Sequence, residues 1–246
     1  MRVWDIHPGY LNRQSLLGEH SEIHALASIL KGGKGGFAHH PETVRWRDHL
    51  GALRLRHEMG VAEMRLRGYD HQSPLEPEPL PVWPETFVDP PGRQFAILRG
   101  KYGDGEPGRI PLPRTSQQLW AQHKYSILAR DLGQYHALGS RLAAGDDGLP
   151  FEALALELTW LLRQPPSPGG VRNALEHMWG YVNRGADPFP SDLGEPRVLL
   201  GVIQELAMQQ RVCYLLESTA LSDLVVWLPR GKDEAALTGA GNQASP

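Results

Sequence analysis

The first thirty residues bring together two groups that could do chemistry, the free amine of Met1 and the carboxylate of Glu22. At about 100° per residue, the run Gln14–Leu30 forms a helix with one apolar stripe, and Glu22 lies at the edge of that stripe. A positioned carboxylate is a group that moves protons. The alternative is an ordinary surface Glu, because Glu is seldom fully buried. Small residues on the same face would leave space above the carboxylate for a sugar or a base: Ser15, Gly18 and Ala25.

The segment Leu16–Ile23, which reads LLGEHSEI, resembles the first-helix motif of the pyrimidine dimer DNA glycosylases, the phage endonuclease V family. Two later segments, 40–46 and 67–69, are similar to the second helix of that family and its end, so the resemblance covers residues 1–71. Setting Glu22 on the family's catalytic Glu puts Met1 on the nucleophile position and Arg2 on the neighbouring Arg, without a gap. The resemblance thus implies that the N-terminal amine is the nucleophile, that Glu22 is the acid/base group, and that damaged pyrimidines in DNA are the substrate.

A glycosylase that also cleaves the strand needs a nucleophile for the sugar C1′ that is neutral near pH 7. An α-amine has an ordinary pKa of about 7.7–8.0 and a Lys side chain about 10.4, so deprotonation costs roughly 3.4 kcal/mol less at a chain terminus. Attack expels the base and leaves an imine, and removal of a C2′ proton by Glu22 then breaks the strand by β-elimination. We expect Met1 to be retained, because Arg2 is too large for the aminopeptidase that trims initiator Met. We also expect Arg2 and Gln14 to flank the pair, and no cofactor or metal to take part.

Two positions of the catalytic helix depart from the family pattern. The Arg before the family's Glu is Ser21 here, and the Arg three residues after it is Ala25. Both family arginines contact DNA, so these departures affect which lesion is recognised. His20 and His24, one helical turn apart, are expected to compensate as contacts to nucleic acid.

Further contacts to DNA are predicted from two basic features. The Gly-rich loop after the first helix holds two Lys, and a helix beginning at Pro41 carries two rows of Arg, spaced at 45, 56, 67 and at 47, 54, 65. Positive side chains on phosphates supply affinity that does not depend on sequence. The alternatives are a helix-ending loop and a solvated helix edge paired with Glu58 and Glu63. The residues expected at DNA here are Lys31, Lys34, His40, Arg45 and Arg47.

Composition is that of an ordinary globular protein, with 41% hydrophobic and 22% charged residues in 246. The single Cys213 excludes a disulfide framework and a Cys-based zinc site, so a reducing, cytoplasmic location is expected. No apolar run reaches the roughly 18 residues that a membrane span needs. Net charge is −3, but residues 1–114 hold 15 basic against 14 acidic side chains, so a DNA surface must be a local patch in this part.

The C-terminal part resembles a second family. Trp120–Arg130, reading WAQHKYSILAR, and Asn173–Tyr181, reading NALEHMWGY, are similar to the two motifs of the YbgA-type domain of unknown function, over residues 115–183. That domain also occurs fused to desulfidases acting on thiolated pyrimidines, which implies RNA as a further partner of this part. A structural role in a helix pair is the alternative to a nucleic-acid groove, in which a Tyr would stack on a base. The groove residues would be His123, Lys124, Arg130 and Tyr181.

The predicted fold class is all-α, with two helical parts joined by a Pro-rich segment that carries 10 of the 21 prolines. The predicted division is 1–71 for the glycosylase-like part, 72–114 for a linker or strap, 115–230 for the YbgA-like part, and 231–246 for a disordered tail. Within the strap, 95–98 is a short strand or helical turn. The predicted helices are Gln14–Leu30, Pro41–Gly68, Gln117–Asp131, Tyr135–Ala143, Phe151–Leu162, Val171–Asn183 and Pro196–Leu228.

Two other functions are consistent with the same residues. A non-catalytic nucleic-acid-binding adaptor could be built on an inactive glycosylase fold. A metal-dependent hydrolase could use His20 and His24, which can share a metal at spacing i, i+4, together with His7, His39 or His40. Borohydride trapping on abasic DNA separates these functions, since only a lyase leaves a covalent adduct.

Overall fold

The computed structural model describes residues 1–32, 37–76, 78, 81–144, 149–183 and 195–229. Over these residues it contains only helices and irregular segments and no strand, which confirms the predicted all-α class. Lys34 and the predicted tail 231–246 lie outside the described residues. The α-helices are α1 Arg13–Gly32, α2 Pro41–Arg45, α3 Leu50–Leu66, α4 Pro91–Tyr102, α5 Ser116–Leu128, α6 Leu132–Ala143, α7 Phe151–Leu162, α8 Pro168–Val182, α9 Pro196–Gln209, α10 Cys213–Leu216 and α11 Ala220–Trp227.

Two of the predicted helices were wrong in length. The run 41–68 is two helices, because the chain turns at Asp48, whose φ of 68° is left-handed. Asp tolerates that region better than most residues. The run 196–228 is likewise three helices, α9, α10 and α11, with Arg211 at a φ of 52° in the first break. Hydrophobic spacing does not register such breaks, because the apolar stripe resumes after each of them.

The Pro-rich segment contains a full helix, α4, where only a short strand or helical turn was predicted. Pro91 occupies its first turn, where the missing N–H costs nothing and the fixed φ suits a helix. Phe95 and Leu98 are buried, so α4 contributes to the core. The segment therefore supplies packed structure as well as a connection.

In the part of the chain that the structure describes, three clusters of buried apolar residues form the core. One lies around α1, α2 and α3 and includes Val3, Ile23 and Trp46. A second runs from Trp4 through α4 to α7, so it joins residues from the start of the chain to residues near 160. The third is built mainly from α8, α9 and α11. The apolar core is thus shared across the predicted parts, and their separation stays a prediction.

Helix α3 lies between α1 on one side and α11 on the other. This agrees with the two apolar stripes that its sequence shows, since a helix buried on two sides sits at the centre of a fold. Asn12 begins α1 by accepting a hydrogen bond from the Ser15 N–H at 2.9 Å. No helix among the described residues is long and apolar enough to cross a membrane.

Candidate active site at the start of the chain

The first six residues form an extended segment whose backbone N–H groups are all taken up by side chains of the helices, except that of Met1 itself. Arg2 donates to Glu22, and Val3 donates to Glu42 Oε1 at 3.2 Å. Trp4 donates to Glu19 Oε1 at 2.7 Å. The next two N–H groups, of residues 5 and 6, donate to the Gln94 side chain of α4 at 2.8 and 3.4 Å. Buried backbone donors need partners, so this ladder fixes the register of the chain start.

This register places the α-amine of Met1 3.7 Å from Glu22 Oε1. The Met1 side chain is only 7% exposed and packs on the cluster around α1 to α3, whereas the Glu22 side chain is 39% exposed. The amine is therefore held by its own buried side chain on one side and opens towards a carboxylate in contact with solvent on the other. The predicted proximity of Met1 and Glu22 agrees with this geometry.

The helix surface beside Glu22 is open. A Cβ placed on Gly18 would meet no atom within 4 Å. Ser21 and Ala25 are exposed, and Ser21 donates only to the Leu17 carbonyl of its own helix. Ser15, by contrast, is buried and accepts a hydrogen bond from the Lys101 ammonium at 3.1 Å. The small residues thus leave room next to the carboxylate, and the room lies on the side of Gly18, Ser21 and Ala25.

Buried ion pairs hold the ladder in place. Arg56 of α3 makes two hydrogen bonds to Glu19, at 3.0 and 2.8 Å, and a third to the Ile6 carbonyl. Burial raises the pKa of Glu19, and the Arg56 guanidinium opposes that rise. Glu19 is thereby bound to α3, and Glu42 is bound by Arg45 of its own helix at 3.1 Å. The bidentate pair with Arg56 is the strong form of such an ion pair.

Several residues predicted to contact DNA are engaged inside the protein. The Arg45 side chain is 3% exposed and is bound by Asp5 and Glu42, so the prediction for Arg45 was wrong. Arg56 and Arg67 of the same predicted row are also paired, Arg67 with Glu63 at 2.7 Å. Spacing of 11 residues aligns such a row on one face but does not tell a buried face from an exposed one.

The other residues of the N-terminal part that were predicted to contact DNA are either engaged by other protein groups or exposed. Arg2 is partly exposed but forms an ion pair with Asp89 at 2.7 Å. Lys31 lies between two carboxylates, those of residues 76 and 78, at 2.7 and 2.6 Å. His40 caps α2, accepting from the Glu42 N–H at 3.1 Å. Gln14 and Arg47 are exposed.

Of the four residues predicted to line a nucleic-acid groove in the C-terminal part, two are buried and paired inside the protein. His123 is buried and hydrogen-bonds the Leu119 carbonyl through Nδ1 at 2.8 Å. Arg130 is buried in a bidentate pair with Asp223, at 2.7 and 2.9 Å. Both are therefore structural, and the prediction that they contact nucleic acid was wrong, because a buried and fully paired group cannot reach a phosphate.

Two of the groove residues do reach the surface together. The Lys124 ammonium lies 4.8 Å from the Tyr125 ring centre and 4.7 Å from that of Tyr214. Tyr181 is 43% exposed and stacks on Tyr214 with ring centres 4.8 Å apart. The cation and the aromatic rings therefore form one surface cluster, and Tyr181 already uses one face for stacking inside the protein.

His20 and His24 are half-buried, and both are engaged with other imidazoles. They meet His57 of α3 and His71, which follows α3, in a cluster whose candidate ligand atoms all lie within 4.8 Å of one another. Burial, followed by the neighbouring imidazoles, lowers the pKa of His20 to about 4, and burial is also the main cause that lowers the pKa of His24. The lowered pKa favours the uncharged form of His20 and His24, so these two rings do not supply the positive charge of the two missing arginines.

The same cluster corrects the predicted metal-site partners. His7 is buried and accepts from the Gly9 N–H, and His40 caps α2, so neither joins His20 and His24. The sequence did carry a signal for one member of this cluster, because His57 recurs with Leu50, Leu53 and Met64 on one apolar stripe of its helix. His71 lies outside any periodic segment and gave none. Glu19, Glu42 and Gln94, which hold the chain start, were also missed, although Glu19 sits within the apolar stripe of α1, where a carboxylate needs a partner.

Comparison with known families finds two matches. Residues 1–77 match the family model described as pyrimidine dimer DNA glycosylase. Residues 124–223 match the model described as protein of unknown function, DUF1722. No curated protein and no solved structure is significantly similar to the chain. The two matches confirm the two resemblances and their order along the chain.

Proposed function

With its N-terminal part matching the pyrimidine dimer DNA glycosylases, we propose that this protein is a DNA glycosylase and AP lyase that acts on pyrimidine dimers. The nucleophile is the α-amine of Met1, and Glu22 is the acid/base group. The observation that carries the proposal is the 3.7 Å separation of these two groups at an open surface. The amine of Met1 is not consumed by the hydrogen-bond ladder that holds the next five residues.

The reaction follows from the two groups. The neutral amine attacks C1′ of the damaged nucleotide, and the C1′–N bond to the base breaks, with the departing base taking a proton from water. Glu22 then takes a proton from the nitrogen and gives it to O4′ as the C1′–O4′ bond opens, which leaves a protonated imine between Met1 and C1′. Glu22 removes a proton from C2′, the electrons form a C2′–C3′ double bond, and the 3′ C–O bond to phosphate breaks. Water then hydrolyses the imine and restores the amine. One carboxylate beside the amine serves each of these proton transfers, and such help is worth typically 10²–10⁴-fold in rate.

The hydrogen-bond ladder of residues 2–6 holds the Met1 amine in the position that this chemistry needs. A free chain terminus has many conformations, and holding a nucleophile in one of them removes much of the entropic part of the barrier. Here five successive backbone donors and one buried Met side chain fix the terminus. The carboxylate of Glu22 contributes to both tasks, since it accepts from the Arg2 N–H and faces the amine.

The surface around the site is consistent with an extruded nucleotide rather than a flat duplex contact. Gly18, Ser21 and Ala25 leave space beside Glu22, and enzymes that act on a base take it out of the stack. Extrusion is cheapest at a damaged pair, because its pairing and stacking are already weakened. Selectivity for the lesion then comes from the deformability of the damaged DNA as well as from protein–DNA contacts. This matters here because the family's two DNA-contacting arginines are absent.

The experiment is borohydride trapping on a duplex with a single abasic site, with a duplex carrying a cyclobutane dimer as the second substrate. The protein with its native N-terminus, verified by intact mass, is compared with one that has a short N-terminal extension. A C-terminal extension beyond Pro246 is the matched control. We expect the N-terminal extension to abolish trapping and strand cleavage while DNA binding persists, because it converts the amine into an amide without basicity.

Full trapping by the N-terminally extended protein would contradict Met1 as the nucleophile. DNA binding without an adduct by the native protein would instead identify a non-catalytic adaptor. Hydrolysis that EDTA abolishes would identify a metal-dependent enzyme.

A further inference from the structure

Four histidines form a compact cluster on the edge of α1 that faces away from Glu22. His20 Nε2 lies 3.0 Å from His71 Nε2 and 3.1 Å from His57 Nε2. The ring centres of five pairs within the cluster, which also includes His24, are 4.6, 4.9, 5.0, 5.0 and 5.1 Å apart. The four rings thus bring one nitrogen atom each to within 4.8 Å of the others.

The hydrogen bonds within the cluster do not satisfy these nitrogens. A neutral imidazole has one N–H and one lone pair. His20 Nε2 faces two other Nε2 atoms but can donate to only one of them or accept from only one. His24 Nε2 is buried and has no hydrogen-bond partner at all. An unpaired buried nitrogen is destabilising, and a central cation would satisfy one lone pair of each of the four rings at once.

The spacing fits a tetrahedral metal ion. Zn–N bonds of about 2.0–2.1 Å place the ligand nitrogens roughly 3.3 Å apart and the imidazole ring centres roughly 5 Å apart. The observed contacts of 3.0 and 3.1 Å between nitrogens, and the ring separations near 5 Å, lie close to these values. Only small side-chain movements would be needed to admit an ion.

Groups outside the cluster orient two of the rings. The Glu58 carboxylate contacts His57 Nδ1 at 3.3 Å, which directs Nε2 of that ring inwards. His24 has a hydrogen bond with the backbone of Ser73. Metal-ligating histidines commonly use the second ring nitrogen in this way, with a carboxylate or a backbone carbonyl as partner.

We propose that His20, His24, His57 and His71 bind one Zn²⁺ ion as a structural site. Imidazole ligands suit Zn²⁺ and neighbouring late transition metals, and no carboxylate or thiolate belongs to the cluster among the described residues. Four protein ligands leave no open coordination position, which is the mark of a structural rather than a catalytic zinc site. The ion would join α1, α3 and the segment that follows α3, and so brace the helix that carries Glu22.

The test measures metal binding directly, on protein without a His tag. Metal-free protein is titrated with Co²⁺, whose visible absorption is strong in tetrahedral sites and weak in octahedral ones, and Zn²⁺ is then added to displace it. We expect one equivalent of tetrahedral Co²⁺, displacement by one equivalent of Zn²⁺, and a Tm that EDTA lowers by about 5–10 °C.

His71→Gln is the informative variant, because His71 lies outside the helices and its replacement should not disturb their packing. We expect it to weaken Co²⁺ binding by more than about 100-fold. His136→Ala is the matched control, since His136 is exposed and far from the cluster in sequence, and it should bind metal as the wild type does. Should His71→Gln fail to fold, the wild-type spectrum and stoichiometry still decide the question.

An octahedral spectrum, a stoichiometry well below one, or equal binding by His71→Gln and the wild type would overturn the proposal. None of these readouts requires DNA, so they are independent of whether the glycosylase and lyase activity is found. If EDTA removes the ion and borohydride trapping persists on the remaining folded protein, the ion is structural as proposed.

Discussion

The two edges of α1 carry polar groups in opposite environments. Glu22 lies on one edge and His20 and His24 on the other, about 160° away around the helix axis. Glu22 is 39% exposed, faces the Met1 amine at 3.7 Å, and has small residues beside it. The histidines close on two further rings and leave a buried nitrogen unpaired.

The two sides of α1 therefore suit the two different roles proposed for them, catalysis at Glu22 and structural support at the histidines. The proton transfers proposed for Glu22 need access to a substrate, and the helix surface beside Glu22 is open. The structural role proposed for the histidines needs a closed site, and their four rings come together from α1, α3 and the segment that follows α3. Glu19 lies between the two edges in the buried stripe and connects the chain start to Arg56.

Glu22→Gln should change catalysis on the Glu22 side of α1 and leave the histidine side intact. Of the substitutions, it has the largest expected effect on activity. The amide keeps the shape and can still accept from the Arg2 N–H, but it cannot carry a proton. We expect turnover on abasic DNA to fall by roughly 10²–10⁴-fold with binding and Tm nearly unchanged. Single-turnover cleavage rates measure this, and Glu85→Gln, at an exposed residue of the Pro-rich segment, is the control. A full rate for Glu22→Gln would remove Glu22 from the mechanism.

Arg56→Met should destabilise the protein on both sides of α1, because it leaves the buried Glu19 carboxylate without its bidentate partner. Breaking a buried ion pair by removing one member costs about 3–5 kcal/mol. We expect urea denaturation to show that loss in the free energy of unfolding. Arg47→Met replaces an exposed Arg nearby and should stay within about 0.5 kcal/mol of the wild type. Equal stabilities for the two variants would show that the pair with Glu19 contributes little.

The pH dependence of stability tests two buried imidazoles that do not belong to α1, those of His7 and His123. Burial lowers the pKa of His7 to about 3 and that of His123 to about 4. Both are neutral in the folded state while the unfolded state gains protons below pH 6.5. Their contribution to the free energy of unfolding is therefore complete above pH 6.5. It is lost as pH falls, at up to about 1.4 kcal/mol per pH unit for each group.

The raised pKa of Glu42, which burial causes, acts in the opposite direction in acid, so the comparison must be made against a variant. We expect His123→Gln to flatten the decline of stability between pH 6.5 and 5, measured by urea denaturation at each pH. A decline as steep as that of the wild type would show that His123 is not buried in its neutral form.

Arg47→Met should have the smallest effect, on binding alone. Arg47 is exposed at the break between α2 and α3, and it is a predicted phosphate contact that the fold leaves accessible. Loss of one such contact should lower affinity uniformly across sequences and reduce the salt dependence, the slope of log K against log salt, by about 1. Fluorescence anisotropy at several salt concentrations measures it, and an unchanged slope would place DNA elsewhere.

Much of this architecture follows from local patterns in the sequence. The helical class, α7 to the residue, and the closeness of Met1 and Glu22 come from periodicity together with the resemblance, because both depend on residues near one another in the chain. The apolar stripe of α1 also placed Glu22 at its edge.

What the sequence could not give depends on contacts between distant segments. Arg45 and Arg130 looked like free cations, and only their tertiary partners Asp5 and Asp223 make them structural. The chain start is held by Gln94 from a helix that the prolines concealed. His71 joins the histidine cluster from an irregular segment, where no period marks it.

The most direct test of the central claim is the location of the covalent bond. Protein with an unblocked Met1 is incubated with abasic DNA, reduced with borohydride, and digested with a protease that does not cut after Arg2. Tandem mass spectrometry then identifies the modified residue. We expect a reduced sugar adduct on the α-nitrogen of Met1, with the five lysine side chains unmodified. An adduct on a lysine, or no adduct beside clear strand cleavage, would contradict it.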